Sequence, residues 1–162
     1  MRLPMIKAAI LTISDSCANR TRQDLSGQAI IDMLPVDKFQ ISQKKILSDD
    51  YQKIAHELIH LADNEAIDIV FTTGGTGLGP RDVTPEATIS VGEKIVPGLG
   101  EVMRTEGFKK TRNAILSRGT ACIRKNTLII NLPGSPKAVR ESLEIILDVL
   151  PHALEMMHGG GH

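Results

Sequence analysis

Residues 67–88 read Ile67-Asp68-Ile69-Val70-Phe71-Thr72-Thr73, then Gly74-Gly75-Thr76-Gly77-Leu78-Gly79-Pro80-Arg81-Asp82-Val83, then Thr84-Pro85-Glu86-Ala87-Thr88. An apolar, β-branched run halts at a glycine-rich bend and resumes with a capping residue, a proline and an acid, which predicts strand, loop and helix in succession. The glycines permit positive φ angles and let a ligand approach the backbone closely. Thr84 stands where an N-cap is expected, with Pro85 at the first helical position and Glu86 in the first turn. Such a loop suits an anion, because the first amides of a helix have no partner within it. Glycine-rich turns also occur simply to redirect the chain, so the neighbouring segments decide between the two readings.

Those neighbours repeat the same punctuation. Ile6 to Ser14 is a short apolar run ending at Asp15-Ser16, as expected of a buried parallel strand. Asp15 to Leu25 is polar and reads as a loop, and Ser26-Gly27 leads into an amphipathic helix over Gln28 to Leu34, stopped by Pro35. Phe39 to Leu47 reads as a strand, and Ser48-Asp49-Asp50 supplies the cap and acidic start of a helix over Tyr51 to Asn64. Beyond the glycine loop, a helix to about Gly92 and another over Leu99 to Lys110 precede two short runs, Ala121 to Arg124 and Thr127 to Leu132. With Lys125-Asn126 between them, these runs read as a tight hairpin. Pro133-Gly134-Ser135-Pro136-Lys137 again sets a Ser cap before a Pro just inside a helix. A long closing helix over Ala138 to Met157, kinked at Pro151, ends the pattern, and 158–162 reads as a flexible tail. The expected fold class is α/β: a three-layer αβα arrangement, with a mixed, mostly parallel central sheet carrying one antiparallel hairpin strand. The chain, 1–162, reads as one domain.

Composition narrows the function. Basic and acidic side chains balance at 19 each, so no polyanion-binding surface is indicated. Aromatic residues make up 2% of the chain, with no Trp, which removes the stacking platforms of single-strand nucleic acid binders. Nucleic acid is therefore not an expected partner. Two cysteines, Cys17 and Cys122, cannot build a multi-bridge scaffold or a four-thiolate zinc site, and a reduced cytoplasmic setting fits them. No apolar run approaches the ~20 residues of a membrane helix. Met1-Arg2-Leu3-Pro4 is too short for a signal peptide. A soluble, cytoplasmic protein with no membrane partner is expected.

In an open α/β sheet, ligands bind beyond the carboxyl ends of the strands, where helix N-termini and glycine loops gather. Four segments should meet there: Ser14 to Ser26, Ser48-Asp49-Asp50, Gly74 to Thr84 and Asn131 to Lys137. They mix anion binders (glycine amides, Ser, Thr, Arg81, Lys137) with the carboxylates Asp24, Asp49 and Asp82. That mixture suits phosphate handled with a divalent metal, since carboxylates hold Mg²⁺ and amides or cations clamp phosphate oxygens. Singly, each acid also has a structural use: Asp49 and Asp50 favour a helix dipole, and Asp24 caps a turn. The glycine loop matches neither the dinucleotide fingerprint nor the P-loop motif, because no Lys-Ser/Thr pair closes it.

His56-Glu57-Leu58-Ile59-His60 satisfies the H-E-x-x-H pattern of zinc peptidases. At about 100° per residue, however, Tyr51, Ile54, Ala55, Leu58, Leu61 and Ala62 share the apolar face and both histidines lie on the polar one. No third ligand stands at a recognisable spacing, so the match reads as chance on a surface helix. Cys17 has no nearby His partner and reads as incidental, and the Met156-Met157 pair reads as packing. Lys137 opposes the dipole at a helix start, which marks it as an anion ligand or a merely solvated cation.

The strings Leu11-Thr12-Ile13-Ser14-Asp15-Ser16, Asp24-Leu25-Ser26-Gly27, Thr72 to Thr88, Ile115-Leu116-Ser117-Arg118 and Thr127 through Lys137 together resemble the molybdenum cofactor biosynthesis family, which includes bacterial molybdopterin adenylyltransferases and gephyrin G domains. The resemblance covers nearly the whole chain. It implies Mg²⁺-dependent transfer of AMP from ATP to molybdopterin, with pyrophosphate released. Asp49 and Asp82 then become the catalytic, Mg²⁺-holding carboxylates, with Asp50 able to stand in for Asp49. Asp24 and Ser26, Gly74, Gly75, Thr76 and Gly77, Ser117, and Asn131, Pro133, Gly134, Ser135 and Lys137 become the binding residues for nucleotide and pterin. A homo-oligomer, most often a trimer, is implied, with a molybdenum insertion protein as a further partner. Ser48 departs from the Pro common before the acidic pair. A second reading within the family is a molybdopterin-binding or scaffold protein without catalysis, in the branch called cofactor biosynthesis protein B. The Arg81 to Pro85 and Asn131 to Gly134 runs favour the adenylyltransferase branch.

Overall fold

The computed structural model describes residues 4–160, and alternation along three strands sorts their side chains into two cores. Ala8 and Ile10, Ile69 and Phe71, and Leu128 and Ile130 face one way, while Ala9, Leu11, Val70 and Ile129 face the other. Each set is almost wholly buried, as period-two strands covered on both faces require.

The strands are β1 (Ile6–Ile13), β2 (Phe39–Leu47), β3 (Ile69–Thr73), β4 (Lys94–Ile95), β5 (Ala121–Arg124) and β6 (Thr127–Leu132). They form one six-stranded sheet in the order β2-β1-β3-β6-β5-β4. Pairs β2-β1, β1-β3 and β3-β6 are parallel, and β5 runs antiparallel to both β6 and β4. The expected antiparallel hairpin strand is present. The edge strand β4 was not foreseen, because Lys94-Ile95 is too short to display a period.

Helices α1 (Asp15–Ala18), α2 (Leu25–Met33), α3 (Tyr51–Asp63), α4 (Thr84–Val91), α5 (Pro97–Lys110), α6 (Pro136–Ile146) and α7 (Leu150–Met157) fill the connections. Ala29 and Ile30 of α2, Met103 of α5, Val139 and Leu143 of α6 and Leu154 of α7 pack on one face of the sheet. Ile54, Leu58 and Leu61 of α3 and Ala87 and Val91 of α4 cover the other, giving the three layers.

Several boundaries differ from expectation, and α5 begins at Pro97 instead of Leu99. The loop after β1 contains the helical turn α1, capped by the Ser14 side chain on the Cys17 amide. Helix α2 starts at Leu25, because the Asp24 carboxylate accepts the Gly27 amide and caps it. The closing helix is two helices joined by a 3₁₀ turn, Leu147–Val149, with Pro151 in the first turn of α7 where its missing N–H costs nothing. Of the expected tail, the His158, Gly159 and Gly160 amides donate back to carbonyls of α7, and Gly161 and His162 lie outside the described residues. Among the described residues no helix is long and apolar enough to cross a membrane.

The chain leaves β1 for β2 on one side and reaches β3 on the other, so the direction of winding reverses between β1 and β3. That reversal opens a crevice beyond the carboxyl ends of the two strands.

Candidate active site

Two of the loop glycines adopt backbone that side chains avoid: Gly74 has φ +100° and Gly75 φ +69°. A Cβ on Gly74 would collide with the Ile13 carbonyl, and one on Gly75 with the Thr84 hydroxyl. Thr84 is not the cap of α4. It occupies the first helical position, and its buried hydroxyl donates to the Gly74 carbonyl at 2.9 Å. Across the crevice the Thr73 hydroxyl donates to the Pro133 carbonyl at 2.6 Å and the Gly74 amide to the Leu132 carbonyl at 3.2 Å, joining the loops that follow β3 and β6.

The acidic pair separates into two roles. Asp50 caps α3, its carboxylate accepting the Lys53 amide at 2.9 Å. Asp49 instead faces the crevice. Its Oδ2 accepts the Asp15 amide at 2.9 Å, while its own amide donates to Asp15 Oδ1 at 3.0 Å. Asp15 is in turn held by Arg81, whose Nε and Nη2 donate to its two carboxylate oxygens at 3.0 and 2.9 Å. Those hydrogen bonds lower the Asp15 pKa. The Asp49 pKa is raised, first by burial and further by the charges of Asp15 and Asp82, with the bond from the Asp15 amide working against the rise. Asp82 Oδ2 accepts the Gly79 amide at 2.9 Å. Asp49 Oδ1 and Asp82 Oδ1 have no hydrogen-bond partner among the described residues.

Asp49, Asp82, Ser26, Gly74, Gly75, Gly134 and Ser135 border one polar cavity of about 360 Å³, together with Ser14, Cys17 and Arg22. Ser117, Asn131, Pro133, Ser135 and Lys137 border a second, more apolar one of about 410 Å³. Ser135 belongs to both, so the loop after β6 is the wall between them. Thr76 and Gly77 border a shallow depression with Asp82, Ser117 and Gly134 that bridges the two. Asp24, Asp50 and Arg81 apart, the ligand and catalytic residues expected from the sequence therefore touch one connected recess.

Asp24 is committed to the fold. Its carboxylate is consumed by the Thr12 hydroxyl at 2.7 Å and the Gly27 amide at 2.9 Å, and its side chain is 6% exposed, so it sets α2 and Thr12 beneath the recess. Asn131 is also spoken for. Its amide nitrogen donates to the Thr72 and Thr88 hydroxyls and its oxygen accepts the Thr120 amide, which ties β6 to β3, α4 and the approach to β5.

Sequence reading passed over Arg104 and Arg118. Arg118 donates to carbonyls of the glycine loop and pairs with Glu86. Burial opposes the Glu86 charge, but the bond from Arg118, the bond from Glu86's own backbone amide and the Arg118 charge together outweigh it, and the Glu86 pKa falls. The only hint was the place of Arg118 in the Ile115 to Arg118 string. In the histidine pattern on α3, Glu57 pairs with Lys45 at 2.6 Å and His60 with Glu65 at 3.2 Å. Among the described residues no group of three or more His, Cys, Asp or Glu could hold a metal ion.

A doubly wound α/β domain with a glycine cradle, two helix N-termini and carboxylates at its winding reversal belongs to the class that binds phosphate-bearing ligands. The particular family follows from comparison: residues 9–152 match the family described as probable molybdopterin binding domain. The chain belongs to this molybdenum cofactor biosynthesis family. It is 41% identical over 160 residues to a molybdopterin adenylyltransferase of Helicobacter pylori, covering 95% of this chain and 89% of that protein. Its fold superposes on the molybdopterin biosynthesis enzyme MoaB of Thermus thermophilus with a TM-score of 0.91 and 48% identity, over 96% of this chain and 98% of that one. The tungsten cofactor synthesizing protein MoaB of Pyrococcus furiosus aligns with a TM-score of 0.86 and 33% identity, over 94% and 97% of the two chains.

Proposed function

We propose that this chain is a molybdopterin adenylyltransferase: an oxygen of the pterin's terminal phosphate attacks the α-phosphorus of ATP, the bond to the bridging oxygen breaks, and pyrophosphate leaves. The observation that carries the site reading is that Asp49 and Asp82 border the same cavity as the glycine cradle, each with one carboxylate oxygen not committed to the fold.

Two such oxygens in an acidic field fit Mg²⁺, which takes one or two carboxylates and fills its shell with phosphate oxygens and water. When bound, the ion neutralises charge on the phosphates. Everything else falls to the chain. The amides of Gly75, Thr76 and Gly77 cradle phosphate oxygens, the Gly74 amide being held by Leu132, and the crevice brings nucleotide and pterin phosphate into line. Ser26, Ser117, Pro133, Gly134, Ser135 and Lys137 shape the two cavities for the paired substrates. Lys137 is exposed in the first turn of α6, with no ion-pair partner among the described residues, which leaves its ammonium available to an anion. We take the chain as a single-domain enzyme of the cytoplasm, consistent with two free cysteines. It would act as a trimer and pass its product to a molybdenum insertion protein.

The 48% identity to the molybdopterin biosynthesis enzyme MoaB favours the B branch of the family, and a second reading within that branch is a protein that binds molybdopterin without transferring AMP. Incubation with molybdopterin, ATP and Mg²⁺ separates the two. Pyrophosphate release that drops by about 10²- to 10³-fold in Asp82→Ala, with an unchanged melting temperature, supports the transferase. Molybdopterin binding by folded protein that releases no pyrophosphate overturns it.

A further inference from the structure

The segment from Gly77 to Asp82 has little of its own to hold it: the Asp82 amide donates to the Gly79 carbonyl at 3.1 Å and the Gly79 amide to the Asp82 carboxylate at 2.9 Å. From outside, the Arg81 side chain ties it to Asp15, and the backbone at both of its ends is fixed by a further residue. The Arg118 amide donates to the Thr76 carbonyl at 2.9 Å. Its guanidinium then spans the segment, Nε donating to the Gly77 carbonyl at 2.8 Å and Nη2 to the Asp82 carbonyl at 2.7 Å. Nη1 pairs with Glu86 in the first turn of α4, so the same fork also fixes the helix that the loop enters. A planar guanidinium can reach all three acceptors at once, whereas an ammonium on a flexible stem cannot hold them in one plane.

Arg118 is itself anchored. Its neighbours Ser117 and Gly119 offer their carbonyls to Arg104 Nη1 of α5, at 3.3 and 2.7 Å. Ser117 and Gly119 border the larger cavity, while Gly77 and Asp82 border the recess on the acidic side. The strap from Ser117 to Gly119 thus fastens the wall of one cavity to the reactive corner of the other. The Arg118 side chain is 34% exposed and contributes nothing to either apolar core, so this work is not core packing.

We propose that Arg118 is the positioning residue of the adenylyl-transfer site: it aims the Asp82 carboxylate by clamping the Gly77 and Asp82 carbonyls. This rests on the transferase reading given above. Arg118→Lys keeps the charge and loses the fork; Arg118→Ala loses both. In both variants kcat for pyrophosphate release should fall by about 10- to 100-fold, the scale expected when a reacting group is misplaced by about 1 Å, while KM for ATP changes little. Added guanidinium should restore part of the activity of Arg118→Ala and none of that of Arg118→Lys. Amide hydrogen exchange in both variants should quicken from Gly77 to Val83 and stay unchanged in β1, β3 and β6. Wild-type kcat with unaltered loop exchange in Arg118→Lys overturns the proposal, as does faster exchange throughout the sheet, which would make Arg118 a general stabiliser. If the wild type releases no pyrophosphate, the transferase reading fails by itself and the exchange comparison still decides whether Arg118 sets the loop.

Discussion

The turn after β3 and the turn after β6 share one sequence grammar, glycine followed by a hydroxyl residue and a proline, yet only the second spends its hydroxyl on its own helix. Ser135 accepts the Ala138 amide at 3.1 Å and caps α6 with Pro136 beside it. At α4 the residue before the helix is Val83, which makes no side-chain cap, and Thr84 turns its hydroxyl back onto the Gly74 carbonyl. The turn after β6 is a local stop that any Ser-Pro could make. The turn after β3 is held by distant groups, Arg118 above all, and leaves amides of Gly75 to Gly77 without a partner among the described residues, on a backbone that only glycine adopts freely. Local capping and long-range anchoring are thus divided between two segments that look alike on paper.

The largest test of that division is Gly74→Ala. With φ at +100° and the Ile13 carbonyl where a Cβ must go, the substitution should destabilise by about 3 kcal/mol or more. At roughly 2–4 °C per kcal/mol, calorimetry should then show a melting temperature lower by about 6–12 °C. Gly98→Ala in the first turn of α5 is the matching control: a Cβ there meets nothing within 4 Å, and no loss should be seen. Equal losses in the two variants would mean that the cradle does not require glycine at this position.

Ser135→Ala probes the other turn. Losing a side-chain cap should cost about 1 kcal/mol, which chemical denaturation can measure, and Ser135→Asp, which still caps, should restore most of it. A loss several times larger would show that this turn also depends on distant contacts.

Much of this was legible in the residues. Strands β1, β3 and β6 declare themselves as apolar runs because both faces of each are covered, and the punctuation around Thr73-Gly74 and Leu132-Pro133 marks where they end. What stayed hidden depends on three-dimensional partners. Asp49 and Asp50 are chemically identical neighbours, and only the entry angle of α3 makes one a cap and the other a cavity wall. Asn131 carries the composition of a ligand residue, but its register opposite Thr72 turns its amide into a buried cross-strand tie. Arg118 reads as one more solvated cation, because its acceptors lie between 32 and 41 residues away in the chain.

The smallest effect expected is also the most diagnostic of an acidic corner kept for a ligand. Asp49 sits where burial and the charges of Asp15 and Asp82 raise its pKa above the ordinary carboxylate value of 3.8. Between that value and the raised one, the native state holds more protons than the unfolded chain, so this group's contribution to stability falls as pH rises through the window and stays unfavourable above it. Asp49→Asn keeps an oxygen for the Asp15 amide but carries no charge. At pH 7 it should therefore be more stable than the wild type, by a fraction of a kcal/mol once solvent screening is allowed for. That advantage should vanish as pH falls towards 3.8, where the wild-type carboxyl is itself protonated. Denaturation midpoints of the two proteins from pH 3.5 to 8 check the linkage. An Asn variant that is less stable than the wild type at neutral pH would show that Asp49 is held as a structural anion, like Asp24, and not as a charge waiting for a partner.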